Sequence, residues 1–435
     1  VLEYLLMEIA ISIISVGLLV FLAHFFAWLF GFVRIPDVLL LMCIGILLGP
    51  LLGVVSPFFL GEAGNVIVML ILVLILFEGA IKLKLTTLRK AIFGTFSLAF
   101  TSFFLTMFGV GYLLYHFTEL PLILSFLVGA IVGSNSTAIV IPIVEKLKIK
   151  DESKTTLFLE SGVSDVLSIV FTLAFITSLE LGVFHLDAVV TEVLTTLLVA
   201  TVIGGAFAFL WSLLLNKVHN IQNSVFATPA FVFIIYGITE LLGYSGLISV
   251  IAFGVVLGNI PLLTTSLREK SSFLYRLLHP QPLSSRELSF FCETVFLVKI
   301  FFFVFIGISL NFEDFSLVLL GLLLTVFIFA ARIPAILFTI PKKTPRFDTA
   351  IMAVTAPRGL APAILALIPV QRGLAGGELV QSVTYNVIFF SILFASLLIF
   401  LIYNTRIRKL YGYLLPGFSP NPENSGSSDY PQEKD

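Results

Sequence analysis

Thr155-Thr-Leu-Phe-Leu-Glu-Ser-Gly-Val-Ser-Asp-Val-Leu-Ser-Ile-Val-Phe-Thr172 is an apolar run that carries two carboxylates, Glu160 and Asp165. Its length, close to the roughly 20 residues a helix needs to cross a bilayer, sets the first question of the fold. On a helix turning about 100° per residue, Ser161, Asp165, Ser168 and Thr172 fall at i, i+4, i+7 and i+11 and form one polar stripe. Glu160 and Ser164 lie on the neighbouring strip. A carboxylate near the bilayer centre costs roughly 2.5 to 3.5 kcal/mol on insertion scales, so it faces a protein interior or an aqueous cavity and has a task there. The rest of the chain is then expected to enclose this helix.

Composition agrees. Of 435 residues, 58% are hydrophobic and 12% charged, against about 25% charged in an average soluble domain. This describes an all-α polytopic membrane protein. The net charge of −1 says little about partners, because the placement of charge matters in such a chain and its sum does not. Cys43 and Cys292 both lie in apolar runs and read as reduced packing residues. The chain shows no zinc-ligand spacing, no Gly-x-Gly-x-x-Gly after a strand and no nucleophile constellation, so an enzyme, a cofactor, a resident metal and a nucleic-acid partner are not expected. No basic segment or Ala-x-Ala site precedes the first apolar run, and that run is expected to stay in the membrane.

Apolar runs are placed near 8 to 30, 35 to 54, 65 to 83, 91 to 116, 121 to 145, 155 to 180, 188 to 216, 225 to 242, 245 to 260, 289 to 310, 315 to 340, 347 to 370 and 378 to 404, about 13 spans. With the N-terminus outside, alternate loops are cytoplasmic, and 20 of the 25 Lys and Arg fall there, from Arg34 to Lys409. The outside loops hold only Arg372. Such a bias is the positive-inside pattern and puts the C-terminus in the cytoplasm. Lys299, Arg332 and Arg358 remain within the membrane and need a purpose. The expected layout is a transmembrane domain over 1–410, with one repeat near 8–180, a linker span near 188–216 and a second repeat near 225–404. A short, Pro-rich, disordered tail follows at 411–435.

Two spans are interrupted. Gly129-Ala-Ile-Val-Gly-Ser-Asn-Ser-Thr-Ala-Ile-Val-Ile-Pro142 puts Gly, Ser, Asn and Thr at mid-membrane depth in the fifth, and Thr355-Ala-Pro-Arg-Gly-Leu-Ala-Pro362 does the same in the twelfth. Breaks at matching places in two halves point to inverted six-helix repeats with crossed discontinuous helices and an ion site between them.

These residues resemble the monovalent cation/proton antiporter superfamily, and most closely its sodium/proton exchanger branch. Arg34-Ile-Pro-Asp-Val-Leu-Leu-Leu-Met-Cys-Ile-Gly-Ile-Leu-Leu-Gly-Pro50 resembles the family's second span, Leu76-Phe-Glu-Gly79 its third-span acidic motif, and Ser245-Gly-Leu-Ile-Ser-Val-Ile-Ala-Phe-Gly-Val-Val-Leu-Gly-Asn259 its ninth. Glu160-Ser-Gly-Val-Ser-Asp165 stands where the exchangers have Glu-Ser-x-x-Asn-Asp, whose last Asp binds cation and proton in turn. Ser164 departs from that pattern. Asn135-Ser-Thr137 stands where many exchangers have Thr-Asp-Pro and is closer to the Ser-Ser-Thr of potassium-efflux members. The resemblance implies a homodimer in which a core of spans five, six, twelve and thirteen moves against a scaffold. It implies Na+ or K+ and H+ as substrates, leaving the choice of ion open.

Asp165 can hold a dehydrated cation as carboxylate or a proton as acid, and this exclusion couples two gradients at one site. Ser161 and Asn135 offer the hard oxygen ligands an alkali cation needs, with Ser136, Thr137 and Ser164 supporting them. Glu78, near the inner end of span three, is expected either as a further ion or proton ligand or as an interfacial acid answering Lys82. Glu160 points about 140° away from Asp165, and the resemblance pairs it with Arg332 as a structural ion pair. Arg358 and Lys299 are expected to compensate charge at the broken helices, with Ser136 standing where the family's Asp would answer Arg358. Lys299 has Asp165, Glu78 and Glu293 as alternative partners, or snorkels to the interface. A sodium-coupled solute symporter and a gated potassium efflux pathway or sensor remain alternative readings of the whole.

Overall fold

The computed structural model of the chain describes residues 37–55, 61–82, 85–136, 147–181, 186–218, 224–262, 281–310 and 314–404, with isolated positions between 14 and 28 and at 139, 140, 143, 144, 312, 415, 416 and 418. The regular elements among them are helices: α1 (Asp37–Ile46, prolonged by a π-helical turn Leu47–Leu51), α2 (Gly61–Lys82), α3 (Leu85–Phe117), α4 (Leu122–Ile131), α5 (Asp151–Leu181), α6 (Leu186–Val218), α7 (Ala227–Leu241), α8 (Gly246–Gly258), α9 (Ser285–Ile308), α10 (Phe315–Thr339), α11 (Arg346–Val354), α12 (Leu360–Leu365), α13 (Leu367–Gln371) and α14 (Gly377–Asn404). Six of them, α3, α5, α6, α9, α10 and α14, contain segments long and apolar enough to cross a bilayer. The protein is an integral, multi-pass membrane protein. The first expected span lies largely outside the described residues. At each later one stands a helix or a broken pair.

Local chemistry sets the helix starts. Ser284 and Glu287 form a reciprocal capping box at the start of α9, Asp314 accepts from two backbone N–H groups at the start of α10, and Pro121 and Pro345 precede α4 and α11. Each arrangement either satisfies orphan donors or fixes φ before the first turn. The breaks follow from the same rules. In the twelfth span α11 ends at Val354, residues 355–359 are non-helical and α12 begins at Leu360, because Pro357 cannot continue the hydrogen-bond ladder. In the fifth, α4 ends at Ile131 and residues 132–136 leave the helix.

The helices sort into two bundles. In one, α8 lies against α6, α2 and α7, while α9 lies against α1 and α2. The α1–α9 contact is close enough that a side chain at Gly45 or Gly307 would strike the facing backbone. In the other bundle, α3 packs on α4, α5 and α10, and α14 on α10, α11, α12 and α13. The two touch sparsely, through α12 on α2, α14 on α1 and the chain link from α5 to α6. The bundle holding the broken helices thus also includes α3 and α10, beyond the four spans expected.

Two expectations change here. Cys43 and Cys292 are free, as expected, but exposed, so they are not residues of the packed core. The tail is not wholly detached: Leu415 and Phe418 are buried. Arg346 Nε donates to the Phe418 carbonyl at 3.1 Å and Lys342 Nζ stands 4.2 Å over its ring. An aromatic side chain with apolar surface to cover outweighs the polar composition around it.

Candidate ion and proton site

The polar stripe of α5 runs against the broken stretch after α4. Ser161, Ser168 and Thr172 are fully buried, and the Ser168 hydroxyl donates to the Ala130 and Ile131 carbonyls at 2.8 and 3.1 Å. Those carbonyls belong to the frayed end of α4, where intrahelical partners run out. A serine from the neighbouring helix therefore stabilises the break that the sequence creates. Ser164 does similar work one turn away: its hydroxyl donates to the Ser161 carbonyl at 3.0 Å and accepts from Asn135 N–H at 3.1 Å. Ser161 itself donates to the Phe158 carbonyl at 2.8 Å.

Asn135 is the hub. Its Nδ2 donates to Glu160 Oε1 at 2.9 Å, and its Oδ1 accepts from Arg358 Nη1. Glu160 is in turn clamped by Arg332, with Nη1 on Oε1 at 2.6 Å and Nη2 on Oε2 at 2.7 Å. This bidentate pair is the strong, oriented form of the interaction. Arg332 also donates from Nε to the Met352 carbonyl at 2.8 Å and from Nη1 to Ser102 Oγ at 3.2 Å. The side chains of the pair are 1% and 0% exposed, so neither charge is stable there without the other.

The two broken spans meet at this hub. Ser136 N–H donates to the Pro357 carbonyl at 2.8 Å, and Arg358 N–H donates to Ser391 Oγ of α14 at 2.9 Å. Gly359 faces Ser136 so closely that a Cβ would collide with its Cβ and Oγ. Arg358 is buried and within electrostatic reach of Glu160, Arg332 and Asp165. Asp165 is half-buried, five residues along α5 from Glu160. One helix thus carries a fully committed acid and, at the edge of the same buried polar centre, a second acid within the field of an arginine.

A family model described as sodium/hydrogen exchanger, transmembrane, matches residues 9–405. The chain belongs to the sodium/hydrogen exchanger family. It thereby falls in the sodium/proton exchanger branch of the monovalent cation/proton antiporter superfamily. The Na(+)/H(+) antiporter 1 of Methanocaldococcus jannaschii is 26% identical over 382 residues, which is 83% of this chain and 84% of that protein. A K(+)/H(+) antiporter of a Shewanella species is 27% identical over 335 residues, 74% of this chain and 54% of the relative, so the chain spans about half of that relative's length. The solved structure of the sodium proton antiporter from Methanocaldococcus jannaschii at pH 8 has the same fold, with a TM-score of 0.72 at 22% identity, covering 89% of this chain and 99% of that one.

Within this exchanger fold the residues singled out in the sequence divide into two places. Asn135, Ser136, Glu160, Ser161, Ser164, Asp165, Arg332 and Arg358 gather where α5 meets the broken spans. Thr137 lies outside the described residues. Glu78 and Lys299 stand elsewhere: Lys299 Nζ is 3.2 Å from Glu78 Oε2, and Lys82 Nζ is 2.6 Å from Glu78 Oε1. Lys299 therefore answers an acid of α2 and does not compensate the broken helices. The reason is geometric, since α9 packs on α1 and α2 in the other bundle. The partner of Arg358, which the sequence left open, is Asn135, while Ser136 Oγ faces Gly359.

Some contributors carried no sequence signal. Ser102, Ser391 and the Met352 carbonyl hold the two arginines, yet each serine lies in an apolar run, indistinguishable there from a packing residue. Ser134, fully buried with a hydroxyl that finds no partner among the described residues, lay within the interrupted stretch beside Asn135. The break itself was the signal that could have singled it out.

Proposed function

We propose that this protein is a secondary active antiporter exchanging a monovalent alkali cation, Na+ or K+, for H+ by alternating access at Asp165. The observation that carries the reading is the unequal state of the two acids on α5. Both oxygens of Glu160 are committed to Arg332 and one also to Asn135, so this acid is engaged in holding the two helices together. Asp165 stands beside this fixed lattice, half-buried, at a depth where a carboxylate has to hold either a cation or a proton. Asn135, Ser161 and Ser164 border it with hard oxygens suited to an alkali cation. The names of the relatives support both ions as candidates.

Charge in the site supports one cation per proton. Glu160 and Arg332 cancel, which leaves Arg358 and Asp165. With either a cation or a proton on Asp165, the site bears the same net positive charge, so the membrane voltage does equal work on the two crossing steps and cancels over a cycle. The sparse contact between the two bundles supports a rocking of the Asp165 bundle against α1, α2 and α6–α9, with the site reaching each side in turn and a second copy of the chain as partner of the stationary bundle. The face rich in Lys and Arg is assigned to the cytoplasm.

Purified protein in liposomes carrying a pH-sensitive dye tests this. Addition of NaCl or KCl is expected to drive proton movement, and choline chloride is not. Asp165→Asn keeps the shape, cannot exchange a proton and is expected to abolish the signal while the protein still purifies as a folded species. Proton flux that no alkali cation elicits, or an Asp165→Asn protein that works like the wild type, would overturn the proposal.

A further inference from the structure

The broken fifth span carries an oxygen that its hydrogen-bond network leaves unused. Ser134 is fully buried, and its hydroxyl finds no partner among the described residues. Other hydroxyls of these helices behave differently. Ser178, Thr325, Thr349, Thr355 and Ser396 each donate to the carbonyl four residues back, at 2.7 to 2.9 Å, a common way for Ser and Thr in a helix to be satisfied. Ser134 stands in the turn after α4, and the carbonyls just behind it, of Ala130 and Ile131, already accept from Ser168. A buried hydroxyl left unpaired costs stability, so its presence calls for a task.

Its place is fixed from both sides. The Ile131 carbonyl accepts from Ser168 Oγ at 3.1 Å, and Asn135 N–H donates to Ser164 Oγ at 3.1 Å. The chain from Ile131 to Asn135 therefore crosses α5 over the turn 164–168, and Asp165 belongs to that turn. Within the crossing Gly133 lies against the Phe103 ring of α3 with no room for a Cβ, which closes the α3 side. The polar groups nearby are largely spent. The Asn135 amide is used at both ends, on Glu160 and Arg358, and reaches a cation only by releasing one of them. Ser164 Oγ both donates and accepts. Ser161 turns its proton to the Phe158 carbonyl and keeps its lone pairs.

We infer that Ser134 Oγ is a ligand of the transported alkali cation, shared with Asp165 and Ser161, and that it, and not the Asn135 amide, is the side-chain ligand from the fifth span. The inference rests on the antiport reading and names a further ligand of that same site. A hydroxyl oxygen is the hard donor that such a cation takes. It also separates cation from proton. Contact with a charge is roughly twice as strong as an ordinary hydrogen bond, so the oxygen is worth more when Asp165 holds a cation than when Asp165 is a neutral acid.

Ser134→Ala tests this, since it removes one oxygen and no carbon. In liposomes its KM for Na+ or K+ is expected to rise about tenfold, the lower end of what losing a polar contact to a charge costs, with the maximal rate near wild type. Thermal unfolding in detergent is the second readout. In choline chloride, Ser134→Ala is expected to melt at or above the wild-type temperature, because an unpaired buried hydroxyl is gone. In NaCl or KCl it is expected to gain less than the wild type, because a bound cation stabilises by an amount that grows with its affinity. A packing role predicts the reverse, a lower melting temperature in choline and an unchanged gain from cation.

Ser249→Ala is the control. Ser249 Oγ of α8 is also buried with no partner among the described residues, but it stands in the other bundle, and its loss is expected to leave KM unchanged. A Ser134→Ala KM equal to that of the wild type overturns the ligand assignment and leaves the antiport reading standing. So does a lower melting temperature in choline with an unchanged cation gain, or a Ser249→Ala KM that rises as far. A wild type in which no alkali cation elicits proton flux overturns the antiport reading, and the ligand assignment falls with it.

Discussion

Glu160→Ala tests how far the buried pair is separable from the site. The substitution removes the acceptor of two Arg332 donors at 2.6 and 2.7 Å and of Asn135 Nδ2 at 2.9 Å. Arg332 keeps only the Met352 carbonyl and Ser102 and becomes a cation with no countercharge beside it in a site 1% exposed. Breaking a buried pair from one side costs about 3 to 5 kcal/mol. Arg332→Ala is expected to cost a similar amount. The double variant removes both charges and leaves neutral orphans, each worth about 1 to 3 kcal/mol; its loss should fall short of the sum of the singles by at least about 1 kcal/mol. Thermal unfolding in detergent, followed by fluorescence-detected size exclusion, reads all three. The two single variants should differ in transport, because only Glu160 holds Asn135: Glu160→Ala should raise the cation KM more than Arg332→Ala does. Additive losses of stability would refute the coupling, and equal KM values in the two single variants would refute the route through Asn135.

Three further outcomes are expected. Gly359→Ala drives a methyl into Ser136 and should cost about 1 to 3 kcal/mol, the usual penalty of overpacking, together with most transport; Ser136→Gly in the same chain should recover part of both, and a Gly359→Ala protein with wild-type melting and flux would remove the close crossing from the account. Activity against pH should be bell-shaped, with each tenfold rise in cation moving the acid limb down by up to about one pH unit because the two ligands compete at Asp165; a limb that stays fixed over a hundredfold range excludes competition. Exchange should be electroneutral, so in valinomycin-clamped liposomes with sodium as the transported ion, the ion ratio at which net proton flux vanishes should not move with voltage. A shift would identify a second titrating group, with Glu78 and Lys299 the first to substitute.

The sequence by itself determined what depends on the chain's own neighbourhood. Hydropathy located the apolar helices, because bilayer insertion responds to residues contiguous along one helix. Pro357 and the Gly129–Pro142 stretch located the breaks, because an interrupted ladder is a property of the backbone at that point. The stripe of Ser161, Asp165, Ser168 and Thr172 was legible from helical spacing, and Glu160 with Arg332 was reached through the resemblance. Only the tertiary structure decided which groups meet. Asn135 and Arg358 are 223 positions apart and Lys299 and Glu78 are 221 apart, so no local period relates them. Helix crossing gave Arg358 to Asn135, set Lys299 of α9 against Glu78 of α2, brought α3 and α10 into the bundle of the broken helices and laid Phe418 on the body of the protein. Each of these follows from the angle and distance at which separate helices pack, and a pattern read along one strand of sequence contains neither.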